Sequence, residues 1–356
     1  MRENAFEPLV RVKRGGTVES IHWAALSVCD TRGNVLLRAG DGRRQVYWRS
    51  AAKPFQAWPL VECGAAERFG VSDRELAVIS ASHGGEPFHL EAVRSILAKI
   101  GCGERDLKCG AHPPMHAPQA ERLIREGRPP TVLHNNCSGK HAGMLALSRH
   151  LGVVPEDYLE PAGPVQSAIR SAIARHAGLP ADAPLATAVD GCSAPTFALP
   201  LESLARAYAA LGQALAGAGT ERSLSRVARA MAKYPAMVAG SGRLGTALMQ
   251  VHPGTMIAKI GAEGVFAVAT SGPREPLGVA VKVADGNGGR ALRALVPAIL
   301  GRLALLDRAE LSLLQDRFPP SVKNHRQIVV GEVEVELPDD LDEGENNRNN
   351  GGFSLV

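Results

Sequence analysis

The sequence predicts an α+β fold, an antiparallel sheet of N- and C-terminal strands covered by a helical middle, and three observations carry that expectation. Residues 9–38 and 255–283 hold β-branched, turn-punctuated runs, residues 50–250 repeat their apolar positions at helical spacing, and residues 329–337 alternate Val and Leu with Glu332, Glu334 and Glu336. Strands that bracket a helical insert form one sheet when the first and last of them meet. That arrangement predicts a single catalytic domain over residues 1–338, followed by an acidic tail over 339–356 that frays.

In chain order, strands are expected at 9–12, 21–29 and 35–38, the last two joined by the hairpin-like Asp30-Thr31-Arg32-Gly33-Asn34. Helices follow at 75–80, 90–100, 165–177, 199–215 and 224–231. Strands return at 256–260, 265–270 and 277–283, with Gly261-Ala262-Glu263-Gly264 as a turn. Leu292, Leu295, Val296, Ile299, Leu300, Leu303 and Leu306 make a stripe broad enough to bury a helix, in which Pro297 either kinks the axis or lies near its start. The alternation at 329–337 reads as an exposed or edge strand.

A formal charge of +4 comes from 40 basic and 36 acidic residues with no basic run longer than a pair, so there is no nucleic-acid stripe. An aromatic content of 4% also leaves few rings for stacking on bases. The N-terminal residues lack the apolar core of a signal peptide, and no apolar stretch approaches the roughly 20 residues of a membrane span. A cytoplasmic location is therefore expected, with the six cysteines as free thiols, ligands or nucleophiles rather than disulfide partners.

The densest chemistry lies in His134-Asn135-Asn136-Cys137-Ser138-Gly139-Lys140-His141-Ala142-Gly143, read as a loop that feeds a helix, with Gly139 supplying backbone freedom. Cys137 and Lys140 then sit one turn apart. A helix start and an ammonium both favour a thiolate, which could attack a substrate or hold a metal. Ser50 and Lys53 of Ser50-Ala51-Ala52-Lys53-Pro54 share a helix face, where a desolvated Lys can take the Ser proton; a plain helix-capping serine is the alternative. Ser80-Ala81-Ser82-His83 closes a helix with a turn expected to expose Ser82 and His83. Asp190-Gly191-Cys192 echoes the first cysteine loop, and two thiolates plus a nitrogen make a zinc site, to which His134 or His141 could add a fourth ligand. Lys259-Ile260-Gly261 ends a strand, with a snorkelling surface lysine as the alternative.

Together with Arg49 and the turn through Gly264, these motifs resemble the rhizobial-type, thermolabile L-asparaginases from about residue 8 to residue 335. The resemblance implies hydrolysis of L-asparagine to aspartate and ammonia, a fold similar to serine β-lactamases and glutaminases, and a homodimer. It places two Ser-Lys tandems on Ser50 with Lys53 and on Ser82 with Lys259. Zn2+ is expected on Cys137, Lys140 and Cys192 with water as the fourth ligand, and Asp190 and His141 are expected to bind substrate. A lysine binds zinc only as a neutral amine. Removing its proton at pH 7 costs about 4.6 kcal/mol, less than the roughly 10 to 16 kcal/mol that zinc sites supply. Other readings are a cysteine amidohydrolase acting through Cys137, a β-lactamase-like serine hydrolase, and a non-catalytic protein in which zinc only pins two loops.

Overall fold

The first and last long strands of the described residues pair in one sheet. The structure is a computed structural model that describes residues 5–218, 221–272 and 275–337, so the expected tail at 339–356 lies outside the described residues. Strands β1 (Glu7–Arg14), β2 (Thr17–Cys29) and β3 (Val35–Ala39) come first. The carboxylate of Asp30 accepts from the backbone N–H groups of Arg32 and Asn34, which folds the turn between β2 and β3. Then β4 (Gln45–Tyr47), β5 (Ala186–Val189) and β6 (Pro195–Pro200) interrupt the helical middle. The strands β7 (Met256–Ile260), β8 (Val265–Thr270), β9 (Gly278–Val283), β10 (Ser321–Lys323) and β11 (Val329–Val335) follow.

The large sheet runs β10-β11-β1-β2-β9-β8-β7, with β3 also paired to β2. Every pairing is antiparallel, and β1 meets β11 with Val10 opposite Val335 and Val12 opposite Val333. The expected α+β architecture, with N- and C-terminal strands in one antiparallel sheet and helices between them, is therefore the one observed. One placement differs: β11 lies between β10 and β1, so the three-residue β10 is the edge. The hydrophobic alternation of β11 records a half-covered face rather than an unpaired margin.

The helix Leu201–Ala216 packs directly on the sheet. A Cβ at Gly278 of β9 would strike the backbone of Ala205 and Ala209, and one at Gly212 would strike that of Thr270, so glycine on each side lets helix and sheet approach. The periodicity placed this helix from residue 199, but Pro195–Pro200 is strand β6, the centre of a second, three-stranded sheet ordered β4-β6-β5. Pro297 lies inside the helix Gly288–Arg302, which continues through it.

Candidate active site

Five separate segments converge on one buried cluster. Arg49–Ala52 is a 3₁₀ turn that runs into the helix Lys53–Glu62, with Pro54 in the first turn where its missing N–H is harmless. Ser50 and Lys53 are thereby one turn apart, both buried. No side-chain hydrogen bond joins them among the described residues. The Lys53 ammonium instead donates to the carbonyls of Ala81 and Asn136 and, at 3.2 Å, to Ser82 Oγ.

Ser82 and His83 follow the helix Asp73–Ile79, and both are buried, not exposed as the loop composition suggested. Backbone pairing explains the difference: Ser82 N–H donates to Val238 O and His83 N–H to Asn136 O, which draws the turn inward. Lys259 arrives from β7 and donates to Ser82 Oγ at 2.7 Å and to Ile260 O at 2.8 Å. It is only 1% exposed, so the snorkelling alternative fails. Burial, and then the neighbouring charge of Lys53, hold Lys259 well below the ordinary lysine pKa. One serine hydroxyl thus lies between two buried lysine nitrogens. A neutral Lys259 can accept the Ser82 proton while Lys53 donates to the same oxygen.

The second half of the cluster is built on the helix Ser138–Leu151, with Cys137 at its N-cap. Asn135 holds the approach, accepting from Cys137 N–H through Oδ1 and donating through Nδ2 to the carbonyls of Cys109 and Gly110. Gly139 is helical rather than a hinge: a Cβ there would strike the carbonyl of Val78, and one at Gly143 would meet Ile79 Cγ2 at 2.5 Å. The motif's glycines serve close helix packing.

Cys137, Lys140 and Cys192 are brought together. Lys140 Nζ donates to Cys192 Sγ at 3.0 Å, and the Cys192 thiol donates to Cys137. That hydrogen bond, with Lys53 and Lys140 close by, pushes the Cys137 thiol well below its usual range, whereas the same bond and burial push Cys192 up. Burial opposes the Lys140 charge, but Cys137, Cys192 and Asp190 outweigh it and raise its pKa.

Asp190 reaches toward this group from the turn before β6, with Oδ2 3.8 Å from Cys192 Sγ. Its Oδ1 accepts from Arg49 at 2.6 and 2.8 Å. Burial works against the Asp190 carboxylate, yet Lys140 and Arg49 hold its pKa below the ordinary value. Arg49 has a φ of 48°, a left-handed conformation that this ion pair helps to hold beside Ser50. His141 is buried next to Lys140. Its Nδ1 lies 2.7 Å from Tyr158 Oη, which accepts from Lys108 N–H, so the tyrosine proton is best spent on Nδ1 and the imidazole proton sits on Nε2, which has no partner among the described residues. Burial, then Lys140 and Lys53, keep this ring neutral.

All nine expected site residues therefore lie in this linked network or one helical turn from it. The roles of Arg49 and Tyr158 went unread because their partners, Asp190 and His141, are remote in sequence.

As a metal donor set, two sulfurs and an amine fit zinc in type. Among the described residues no three His, Cys, Asp or Glu side chains form such a group, and the third donor here is a lysine. Cys137, Cys192 and, as a neutral amine, Lys140 would hold such an ion.

A buried serine between two lysines, held by a mixed antiparallel-sheet and helix scaffold, has the parts of an amide-cleaving hydrolase. The sequence model for L-asparaginase II matches residues 10–335, and the chain belongs to that family of asparaginase-type amidohydrolases. No curated protein matches it.

Proposed function

We propose that the chain is a rhizobial-type L-asparaginase that hydrolyses L-asparagine to L-aspartate and ammonia. The observation that carries this reading is the Lys53–Ser82–Lys259 contact chain beside Ser50, in a chain of the L-asparaginase II family. Lys53 first gives a proton through Ser82 Oγ to the neutral Lys259, and Ser50 Oγ then attacks the side-chain carboxamide carbon as the Lys53 amine so formed takes its proton. Lys259, charged through this Ser82 relay, protonates the amide nitrogen as its bond to carbon breaks, so that it leaves as ammonia. Water then cleaves the acyl-serine, giving aspartate and restoring Ser50. Asp190 is suited to the substrate ammonium and the Nε2–H of His141 to a substrate carbonyl.

Zinc would be held by Cys137, Lys140 and Cys192. It would supply Lewis acidity there and fix two loops. Thermolability, a cytoplasmic location and a homodimer belong to the same proposal.

One observation favours a second assignment of the nucleophile: both lysine nitrogens hydrogen-bond Ser82 and, among the described residues, neither hydrogen-bonds the Ser50 side chain. Ammonia release by purified Ser50→Ala and Ser82→Ala separates the two. Loss of the nucleophile should lower kcat by about three orders of magnitude or more, while loss of the relay leaves slower turnover. Near wild-type turnover by Ser50→Ala moves the attack to Ser82 or Cys137. Absence of ammonia release from a panel of amides by the wild type would leave a zinc-held binding protein, and acylation by a labelled β-lactam would point to the β-lactamase-like hydrolase.

A further inference from the structure

A cavity of about 380 Å³ opens beside Lys259, within the size range of sites for small ligands. Its lining carries Lys259, Arg243, Arg293 and His116 and no carboxylate, while Phe266 and Leu292 give it an apolar wall. Arg293 is occupied over the ring of Phe318 at 5.4 Å. Arg243 is different. Half-buried, its guanidinium has one hydrogen bond among the described residues, to the thioether of Met115 at 3.6 Å, and no ion pair. Five N–H donors facing a weak sulfur acceptor leave the fork geometry of the group unused, and burial and Arg293 oppose its charge, although Glu86 supports it from a distance.

The carboxylate that could have taken it is committed elsewhere. Glu86, buried behind the cavity, accepts from Ser241 N–H at 3.0 Å and stands 3.8 Å from His116. Arg243 is also the N-cap of the helix Leu244–Val251, whose first turn lines the cavity without any side-chain cap. A free guanidinium, uncapped backbone N–H groups and a cationic wall all select the same ligand group, a carboxylate.

We propose that Arg243 binds the α-carboxylate of the substrate in this cavity, and so makes the enzyme select amides that carry a carboxylate. The inference rests on the asparaginase reading for its substrate, since Lys259 joins this cavity to Ser82. The side-chain amide of asparagine lies only two carbons from its carboxylate carbon, so a carboxylate held at Arg243 keeps the amide close to it, and Lys259 is the residue that the cavity shares with the serine-lysine cluster.

The test needs two readouts. Calorimetry with L-aspartate, which does not require turnover, should show binding to the wild type that weakens roughly 10- to 100-fold in Arg243→Gln and is unchanged in Arg290→Gln, an exposed arginine outside the lining. Ammonia release should show KM for asparagine rising by a similar factor in Arg243→Gln with kcat within a few-fold, while 3-aminopropanamide, which lacks the carboxylate, is hydrolysed equally by both proteins. Unchanged aspartate affinity, or equal losses on both amides, would overturn the assignment. Should the wild type release no ammonia yet bind aspartate through Arg243, the asparaginase reading falls and the carboxylate site stands. Should asparagine turn over unaffected by Arg243→Gln, the reverse holds.

Discussion

Lys259 is buried with Lys53 as a charged neighbour and has hydroxyl and carbonyl oxygens, not a carboxylate, as its partners. Its folded pKa lies well below the unfolded value, so the unfolded chain binds a proton that the folded chain does not. Stability therefore falls as pH drops through the window from the usual lysine value toward the depressed one, and recovers as pH rises. Lys259→Met removes this penalty. It should abolish turnover while raising Tm at neutral pH by about 2 °C or more, the shift given by roughly 1 kcal/mol, with the gain shrinking toward pH 10. A Tm at or below that of the wild type in a scan across pH would show that Lys259 is not destabilising. At this scale the sequence announced which residues carry chemistry but not how they pair. Ser50 and Lys53 have the spacing of partners, yet the lysine's direction is set by the carbonyls of Ala81 and Asn136, which local spacing cannot place.

The helices Asp73–Ile79 and Ser138–Leu151 lie against each other through Gly139 and Gly143. One ends just before Ser82 and the other begins at Cys137, so the depth of this contact sets the distance between the serine-lysine and cysteine halves of the site. Gly139→Ala places a methyl group on the Val78 carbonyl, and overpacking of this kind costs about 1 to 3 kcal/mol. We expect a lower denaturation midpoint and a loss of kcat larger than the stability change explains, because the helices separate; wild-type kcat and midpoint would contradict this. Strong periodicity made the elements legible: β7 and β8 fall at the expected residues, and the helices at 87–99 and 164–176 within a few positions. The small sheet was not legible. Its strands have three to six residues, two prolines bound β6, and Leu199 continues smoothly into the apolar pattern of the following helix.

Across the molecule, the proposed zinc would tie the start of the helix Ser138–Leu151 to the turn that precedes β6, joining the helical middle to the small sheet. Removing it with a chelator should lower Tm, and zinc but not magnesium should restore it, since a ligand at 1,000 times its Kd adds about 4 kcal/mol. An unchanged Tm, with metal content followed through the treatment, would remove zinc from the fold. No helix of the described residues is long and apolar enough to cross a membrane. The pairing of β1 with β11 has a consequence for biosynthesis. Val10 waits for Val335, about 325 positions later, and at 5 to 20 residues per second that interval lasts roughly 15 to 65 s on the ribosome. During it the early hairpin offers open backbone to any strand that passes, so a nascent chain stalled before β11 should bind chaperones that the completed chain releases.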